Sequence, residues 1–148
     1  MVTHDPAVAD QRVSHGTAAV HNFVRRYDDT VKAADFGTLP SFFDETILVV
    51  TPSSSLCLSR AEFVAAVESR VRQLDSVPEL ELVEQSTTEL GGHYWLTSVQ
   101  WALTFGDGRA IEVYSDLLIR RVDGGLRIAA YLTRQDLPEL LRAADGRD

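Results

Sequence analysis

The chain is predicted to fold as one α+β domain, in which a cone-shaped, curved antiparallel sheet wraps around N-terminal helices and encloses an internal cavity. Two observations predict this. Helical periodicity is confined to the first half of the chain, and the second half consists of consecutive strands joined by glycine-containing turns. Helices that precede an antiparallel run of strands are typical of α+β folds, because they cover one face of the sheet. A sheet curved around a long helix leaves a conical cavity at its open end.

The first helix is predicted from an apolar stripe. Residues 1–15 show no sustained period and are expected to form a flexible arm, so the domain is assigned to residues 16–148. From Gly16, apolar residues recur every three or four positions up to about Asp35, as on one face of a helix: Val20, Phe23, Val24, Tyr27 and Val31. A short helical turn is expected over residues 39–43.

The next segment is predicted to contain a strand, a loop and a second helix. The β-branched run 46–51 predicts the first strand, and a serine-rich loop is expected over residues 52–58. Ser59 and Glu62 have the spacing of a capping box, which predicts that a helix begins at residue 60 and continues to residue 75.

Four consecutive strands are expected to follow, and then a short terminal helix that runs through Leu141. Alternating apolar and polar residues, together with the turns at 106–109 and 123–125, place the strands at residues 80–89, 93–105, 110–122 and 126–135. The turns then determine which residues share a face of the sheet.

A two-residue turn at Asp107-Gly108 would pair Val99 with Asp116, and a three-residue loop at 123–125 would pair Asp116 with Leu132. A two-residue second turn would instead bring Tyr131 and Thr133 to this face, because a one-residue slip exchanges the faces. The residues alone leave both loop lengths open, and the face that follows is the one given by the three-residue loop. One face is then expected to carry the following residues: Trp95, Thr97, Val99, Trp101, Tyr114, Asp116, Leu118, Ile128, Ala130, Leu132 and Arg134.

Asp116 is the most informative residue of this set, because it is a single acid within an apolar strand. Burying a carboxyl group is unfavourable unless it is paired with a cation or stays protonated in a cavity. A functional carboxyl group is one interpretation, and an ion pair with Arg134 is the other.

Charge and composition exclude several classes of function. A net charge of −8 disfavours nucleic acid and anionic membranes as partners, and no apolar run is long enough to cross a membrane. The single cysteine excludes an internal disulfide, so a cytoplasmic protein is expected. No metal or nucleotide cofactor is expected, since the histidines share no helical face at ligand spacing and no glycine-rich phosphate loop is present.

Several short motifs together resemble the nuclear transport factor 2-like superfamily, which includes ketosteroid isomerases, scytalone dehydratase and polyketide cyclase-like proteins. They are Arg26-Tyr27-Asp28-Asp29, Ala33-Ala34-Asp35-Phe36, Phe42-Phe43-Asp44-Glu45-Thr46 with Pro52, and the run from Tyr114 to Ile128. The resemblance covers about residues 16–137 in element order. It implies a cone fold and a homodimer, and it leaves the activity open because one fold supports many functions. It also favours the three-residue loop at 123–125, because it implies cavity residues at the positions of Ile128 and Leu132.

The resemblance to ketosteroid isomerases also implies roles for individual residues. The tyrosine that stabilises the enolate in those enzymes matches Tyr27, and their protonated aspartate falls at Ser115 or Asp116, with Asp116 favoured by residue type. The position of their catalytic base, just before the proline, is occupied by Thr51. A steroid-type isomerase is therefore not expected.

We expect a cofactor-independent lyase, isomerase or cyclase that acts on a small hydrophobic, oxygenated and polyketide-like metabolite. Tyr27 and Asp116 would perform the acid–base chemistry, with His93 as a second proton carrier. The expected substrate contacts are Trp95, Val99, Trp101, Tyr114, Leu118, Leu132, Arg134 and Thr51.

The alternative is a non-catalytic module that binds a small molecule or associates as a dimer. A homodimer is expected through the convex face of the sheet, where four large aliphatic residues would need cover: Ile111, Val113, Leu117 and Ile119. Tyr131 and Ala129 would lie on the same outer face.

Overall fold

The computed structural model describes residues 6–74 and 78–135. The predicted terminal helix beyond residue 135 and the first five residues of the predicted arm lie outside the described residues. The elements, in chain order, are α1 (Pro6–Lys32), a 3-10 helix η1 (Leu39–Phe42), β1 (Phe43–Thr51), β2 (Ser54–Ser59), α2 (Arg60–Arg72), β3 (Glu79–Glu89), β4 (Tyr94–Thr104), β5 (Ala110–Val122) and β6 (Gly125–Thr133).

Helix α1 begins at Pro6, ten residues before the start predicted from the apolar stripe. Residues 6–15, which were expected to form an arm, therefore belong to this helix. Proline is compatible with a first helical position, because its missing N–H would have no partner within the helix there.

Strand β2 replaces the predicted serine-rich loop and pairs antiparallel with β1. Thr51 organises the reversal between the two strands, since its hydroxyl oxygen accepts hydrogen bonds from the backbone N–H groups of Ser53 and Ser54, at 3.3 and 3.0 Å. β2 is an edge strand, and four of its six residues are exposed. Its sequence therefore lacks the alternation of apolar and polar residues by which half-buried strands are recognised.

The six strands of the described chain form one curved sheet in the order β2-β1-β6-β5-β4-β3. All neighbours are antiparallel except β1 and β6, which are parallel, so the sheet is mixed rather than wholly antiparallel. The parallel pair joins the β1-β2 hairpin to the four-stranded meander formed by β3 to β6. The α+β class and the curved sheet around helices are confirmed.

The register between β4 and β5 differs by one residue from the predicted one. Phe105 N–H donates to the Arg109 carbonyl at 2.8 Å, so the turn contains three residues, 106–108, and Gly108 adopts a left-handed conformation with φ +88°. Trp101 consequently faces Val113, and Ser98 faces Asp116. The predicted two-residue turn is wrong, and the one-residue slip exchanges the two faces of β5.

A β-bulge in β6 compensates for a second error in the predicted turns. Val122 pairs with Gly125, so this turn has two residues rather than three. Further along, Ile119 pairs with Ile128 but Leu118 pairs with Ala130, so the register shifts by one residue between these two pairs. Asp116 therefore faces Leu132, as predicted, although the loop length from which that pairing was derived is wrong.

The two faces of the sheet have distinct roles. We call the face that packs against α1 and α2 the inner face and the opposite one the outer face. The buried residues of the inner face on β4, β5 and β6 are Trp95, Thr97, Val99, Trp101, Val113, Ser115, Leu117, Ile119 and Ile128. The predicted outer position of Val113, Leu117 and Ile119 is wrong. Ile111 alternates with Val113 and belongs to the same side.

The hydrophobic core lies between the inner face and the two helices. Phe43 is fully buried and contacts Phe63 of α2 and Tyr27 of α1, with ring centroids 4.7 and 5.8 Å apart. Within the described residues, no helix is both long enough and apolar enough to cross a membrane.

Candidate functional site

Asp116 lies on the outer face and not in the cone. Its neighbours Ser115 and Leu117 are buried on the inner face, so the alternation of the strand points the Asp116 side chain outward. Arg134 donates to both of its carboxylate oxygens at 2.9 and 3.1 Å, and the Ser98 hydroxyl donates at 2.6 Å. The predicted pairing of Asp116 with Tyr27 around one substrate is therefore wrong.

The electrostatics of Asp116 correspond to a structural ion pair. Hydrogen bonds from Arg134 lower the pKa of Asp116, with a further contribution from Ser98, and partial burial opposes the shift. The carboxylate is thus ionised at neutral pH. It is neither the neutral hydrogen-bond donor nor the raised-pKa base that the sequence suggested.

Other predicted substrate contacts share this outer location. Tyr114 and Leu118 alternate with the buried residues of β5, and the Tyr114 hydroxyl donates to Glu112 at 2.7 Å. Leu132 lies opposite Asp116. A small depression of about 180 Å³ on this face includes Tyr114 and Arg134.

His93 and Thr51 both lie at strand ends, and Thr51 is on the same side of β1 as Val49, which pairs with the inner-face residue Tyr131. His93 is exposed in the turn before β4, where its carbonyl accepts a hydrogen bond from the Arg121 N–H. Thr51 closes the turn between β1 and β2, and its hydroxyl lies 2.8 Å from that of Ser54.

Tyr27 lies inside the cone, where its match to the enolate-stabilising tyrosine had placed it. Its side chain is 7% exposed and contacts the rings of Phe42, Phe43 and Trp101. Burial raises the pKa of Tyr27, and the nearby Tyr131 and Asp28 raise it further. The phenol is therefore neutral at physiological pH and can donate a hydrogen bond.

Asp28 is a buried carboxylate of α1 that packs against the inner face, and it is not among the site residues predicted from the sequence. It is 5% exposed, accepts a hydrogen bond from the Trp101 indole N–H at 3.2 Å and forms an ion pair with Lys32 at 2.9 Å. A signal was present in the sequence, because Val20, Val24 and Asp28 are spaced by four and fall on one buried stripe.

Ser115 and Tyr131 are two further polar residues of the inner face. The Ser115 hydroxyl donates to the Tyr131 hydroxyl at 3.3 Å, and Ser115 is almost fully buried. Burial raises the pKa of Tyr131, which the sequence analysis placed on the outer face. The protonated aspartate of ketosteroid isomerases matched either Ser115 or Asp116. Of these two residues, Ser115 is the one that lies on the inner face.

Three of the predicted substrate contacts form part of the apolar core of the inner face, and their contact with a substrate stays a prediction. Trp95, Val99 and Trp101 are all buried there. The Trp95 indole stacks beneath Arg121, with the guanidinium 5.5 Å from the ring centroid, and its N–H has no hydrogen-bond partner within the described residues.

We call Tyr27, Asp28, Trp101, Ser115 and Tyr131 the cone cluster. It combines two neutral phenols, a serine hydroxyl and one ion-paired carboxylate in apolar surroundings. Phenols of this kind can stabilise negative charge on a substrate oxygen, and a buried carboxylate can accept a proton. The described chain is thus an α+β fold in which the cone cluster lies between α1 and the inner face of a curved sheet.

Comparison with solved structures shows that the chain has the nuclear transport factor 2-like fold. It is similar to an NTF2-like protein of unknown function from Shewanella oneidensis, with 13% identity and a TM-score of 0.70 over 81% of this chain and 99% of the other. It also resembles a protein from Catenulispora acidiphila solved in complex with S-DNPA, with 14% identity and a TM-score of 0.68 over 86% and 98% of the two chains.

A third similar structure is a scytalone dehydratase-like protein from Novosphingobium aromaticivorans. It shares 11% identity, with a TM-score of 0.68 over 84% of this chain and 87% of the other. Neither known family descriptions nor curated protein sequences match the chain. At these identities the likeness concerns the fold alone.

Proposed function

We propose that the protein is a cofactor-independent lyase, isomerase or cyclase that binds a small, largely apolar, oxygenated metabolite in its cone. The observation that supports this most is Asp28, a buried carboxylate adjacent in sequence to the buried phenol of Tyr27. The scytalone dehydratase-like neighbour and the neighbour bound to S-DNPA are consistent with a small-molecule site in this fold.

The proposed chemistry begins with a ketone whose oxygen accepts a hydrogen bond from Tyr27. Asp28 removes a proton from the adjacent carbon, and the electron pair of that C–H bond forms the enolate. Tyr27 stabilises the negative charge on oxygen, with Tyr131 and Ser115 close by as further hydroxyl groups. From a β,γ-unsaturated ketone, Asp28 returns the proton to the γ-carbon and an isomer forms. From a β-hydroxy ketone, the electron pair of the enolate forms the C=C bond, the C–O bond breaks, and the hydroxyl leaves as water with the proton that Asp28 holds.

The roles of Tyr27 and Asp28 can be tested without knowledge of the natural substrate. The bicyclic ketone 1-decalone is incubated with the protein in D₂O, and exchange of its α-protons is followed by proton NMR. The wild-type protein is expected to accelerate exchange, and Asp28→Asn is expected to reduce the acceleration by about 100-fold or more, as for loss of a general base.

Asp116→Asn is the matched control, because Asp116 is also a carboxylate paired with a cation but lies on the outer face. Its exchange rate is expected to equal that of the wild type. Equal losses in the two variants, or no exchange with a ketone shown to bind, would refute the proposed chemistry.

A non-catalytic binding module is the second candidate. It is favoured because Thr51 and Ser115 stand at the positions where ketosteroid isomerases carry their two carboxyl groups. This function predicts saturable binding of 1-decalone that depends on Tyr27, with no proton exchange in any variant.

A further inference from the structure

A surface groove of about 520 Å³ lies where β1, β5 and β6 meet the first residue of α2. Three arginines line it, Arg60, Arg120 and Arg127, together with the carboxylates of Asp44 and Glu45. The groove shares no residue with the cone cluster. Arg120 and Arg127 face each other across β5 and β6, next to the inner-face residues Ile119 and Ile128, so they lie on the outer face.

One of the three arginines is already neutralised. Arg120 binds Asp44 through Nε and Nη2, the second contact being 2.9 Å. This pair leaves Glu45 as the one carboxylate of the groove lining that has no ion pair within the described residues.

The other two arginines converge on one neutral acceptor. The Nη1 atoms of Arg60 and Arg127 both donate to the carbonyl oxygen of Phe43, at 3.2 and 3.0 Å. The two Nη1 atoms therefore lie no more than about 6 Å apart, a distance at which like charges repel.

Both side chains are partly buried, and within the described residues neither has a carboxylate at ion-pair distance. Arg127 also donates to the Ser41 carbonyl at 3.4 Å. Each guanidinium carries five N–H donors in a planar fork, so several donors of each remain available.

We propose that this groove binds the phosphate group of a small molecule, held by Arg60 and Arg127 and bordered by Arg120. A phosphate dianion would remove the repulsion between the two guanidiniums and accept hydrogen bonds from both forks. The groove volume is that of a small-molecule site. Its three cations and two carboxylates make it locally positive in a chain whose net charge is −8.

The test is calorimetric titration of the full chain with inorganic phosphate at constant ionic strength. Saturable binding to one site is expected, and Arg60→Gln should weaken it at least tenfold. Arg72→Gln is the matched control, because Arg72 belongs to the same helix but pairs with Glu68 on the exposed surface. Its affinity for phosphate is expected to equal that of the wild type.

Further variants keep the test decisive. Arg127→Gln should also weaken phosphate binding. If this substitution unfolds the chain, Arg60→Gln and Arg60→Lys decide the outcome. Arg60→Lys retains the positive charge but loses the planar fork of N–H donors. Glycerol phosphate and AMP, titrated in parallel, distinguish a site for free phosphate from one that accepts a phosphorylated molecule.

Absence of saturable binding, or equal weakening by Arg72→Gln, would overturn the proposal. Binding of 1-decalone in the cone should be unchanged in Arg60→Gln, so this site and the proposed function can fail independently.

Discussion

At the scale of single residues, Asp116 shows how a one-residue error in register changes a functional interpretation. The acid within an apolar strand was correctly recognised as unusual, and the Arg134 partner was one of the two interpretations of it. The turn at residues 106–108 determined which interpretation applies. Sequence alone could not resolve it, because Asp107-Gly108 fits a two-residue turn as well as a longer one that ends with a left-handed glycine.

The ion pair of Asp116 predicts a pH-dependent contribution to stability. Because the pKa of Asp116 is lowered in the folded state, the contribution is present above the unfolded pKa of about 4 and disappears as pH falls through the lower folded value. Asp116→Asn should lower the free energy of unfolding by about 1 kcal/mol near neutral pH.

Urea unfolding at about pH 7 and about pH 2 measures this contribution. The deficit of Asp116→Asn should vanish at the lower pH, and Arg134→Gln should show the same pattern. A deficit of equal size at both values would mean that the carboxylate charge is not the cause.

Asp28 is the residue that sequence reasoning should have found. Its four-residue spacing from Val24 places it on the buried stripe of α1, and the neighbouring Tyr27 was selected. The hydrogen bond between Asp28 and Trp101 could not be predicted from the sequence, because it depends on how α1 packs across β4. The two residues are 73 positions apart in the chain.

At the scale of elements, local signals predicted the start of α2 at Arg60, whereas the predicted end at residue 75 lies three residues beyond the observed end at Arg72. The Ser59 hydroxyl accepts from the Glu62 N–H at 3.1 Å, and the Glu62 side chain accepts from the Ser59 N–H at 3.3 Å, so the capping box is confirmed. Strand β5 has the bounds predicted from its apolar run and turns. The N-terminal part of α1 and the edge strand β2 were missed, since neither has a periodic apolar pattern.

The capping box predicts a measurable loss of stability. Ser59→Ala should lower the free energy of unfolding by about 1 kcal/mol, because the N–H of Glu62 loses its acceptor. Thermal or urea unfolding measures the change. Ser69→Ala, at an exposed position within the same helix, is the control and should be neutral or slightly stabilising, and an equal loss there would contradict the capping argument.

At the scale of the whole molecule, the α+β class followed from element order, whereas the parallel pairing of β1 with β6 did not. Local patterns carry no information on which strand closes the sheet. The faces were also assigned incorrectly: the aliphatic residues expected outside belong to the inner core, and both helices cover that same face.

Homodimerisation through the outer face remains a prediction. This face carries the partly buried residues Leu96, Leu118 and Leu132, and both described helices lie on the other side of the sheet. Sedimentation equilibrium is expected to give twice the chain mass of 16.4 kDa, and Leu118→Glu should shift the species toward monomer. Leu90→Glu, at an exposed turn position, is the control. A wild-type protein that sediments as a 16.4 kDa monomer would contradict a dimer.

The proposed function requires that a small molecule binds in the cone through the cone cluster. The chain has two tryptophans, Trp95 and Trp101, and both lie on the inner face, so intrinsic fluorescence reports on this region. Titration with 1-decalone should change the fluorescence in a saturable manner. Tyr27→Phe should weaken binding about tenfold through loss of one hydrogen bond, and Tyr114→Phe, on the outer face, should leave it unchanged. A fluorescence response that does not saturate, or equal weakening by both substitutions, would contradict binding in the cone.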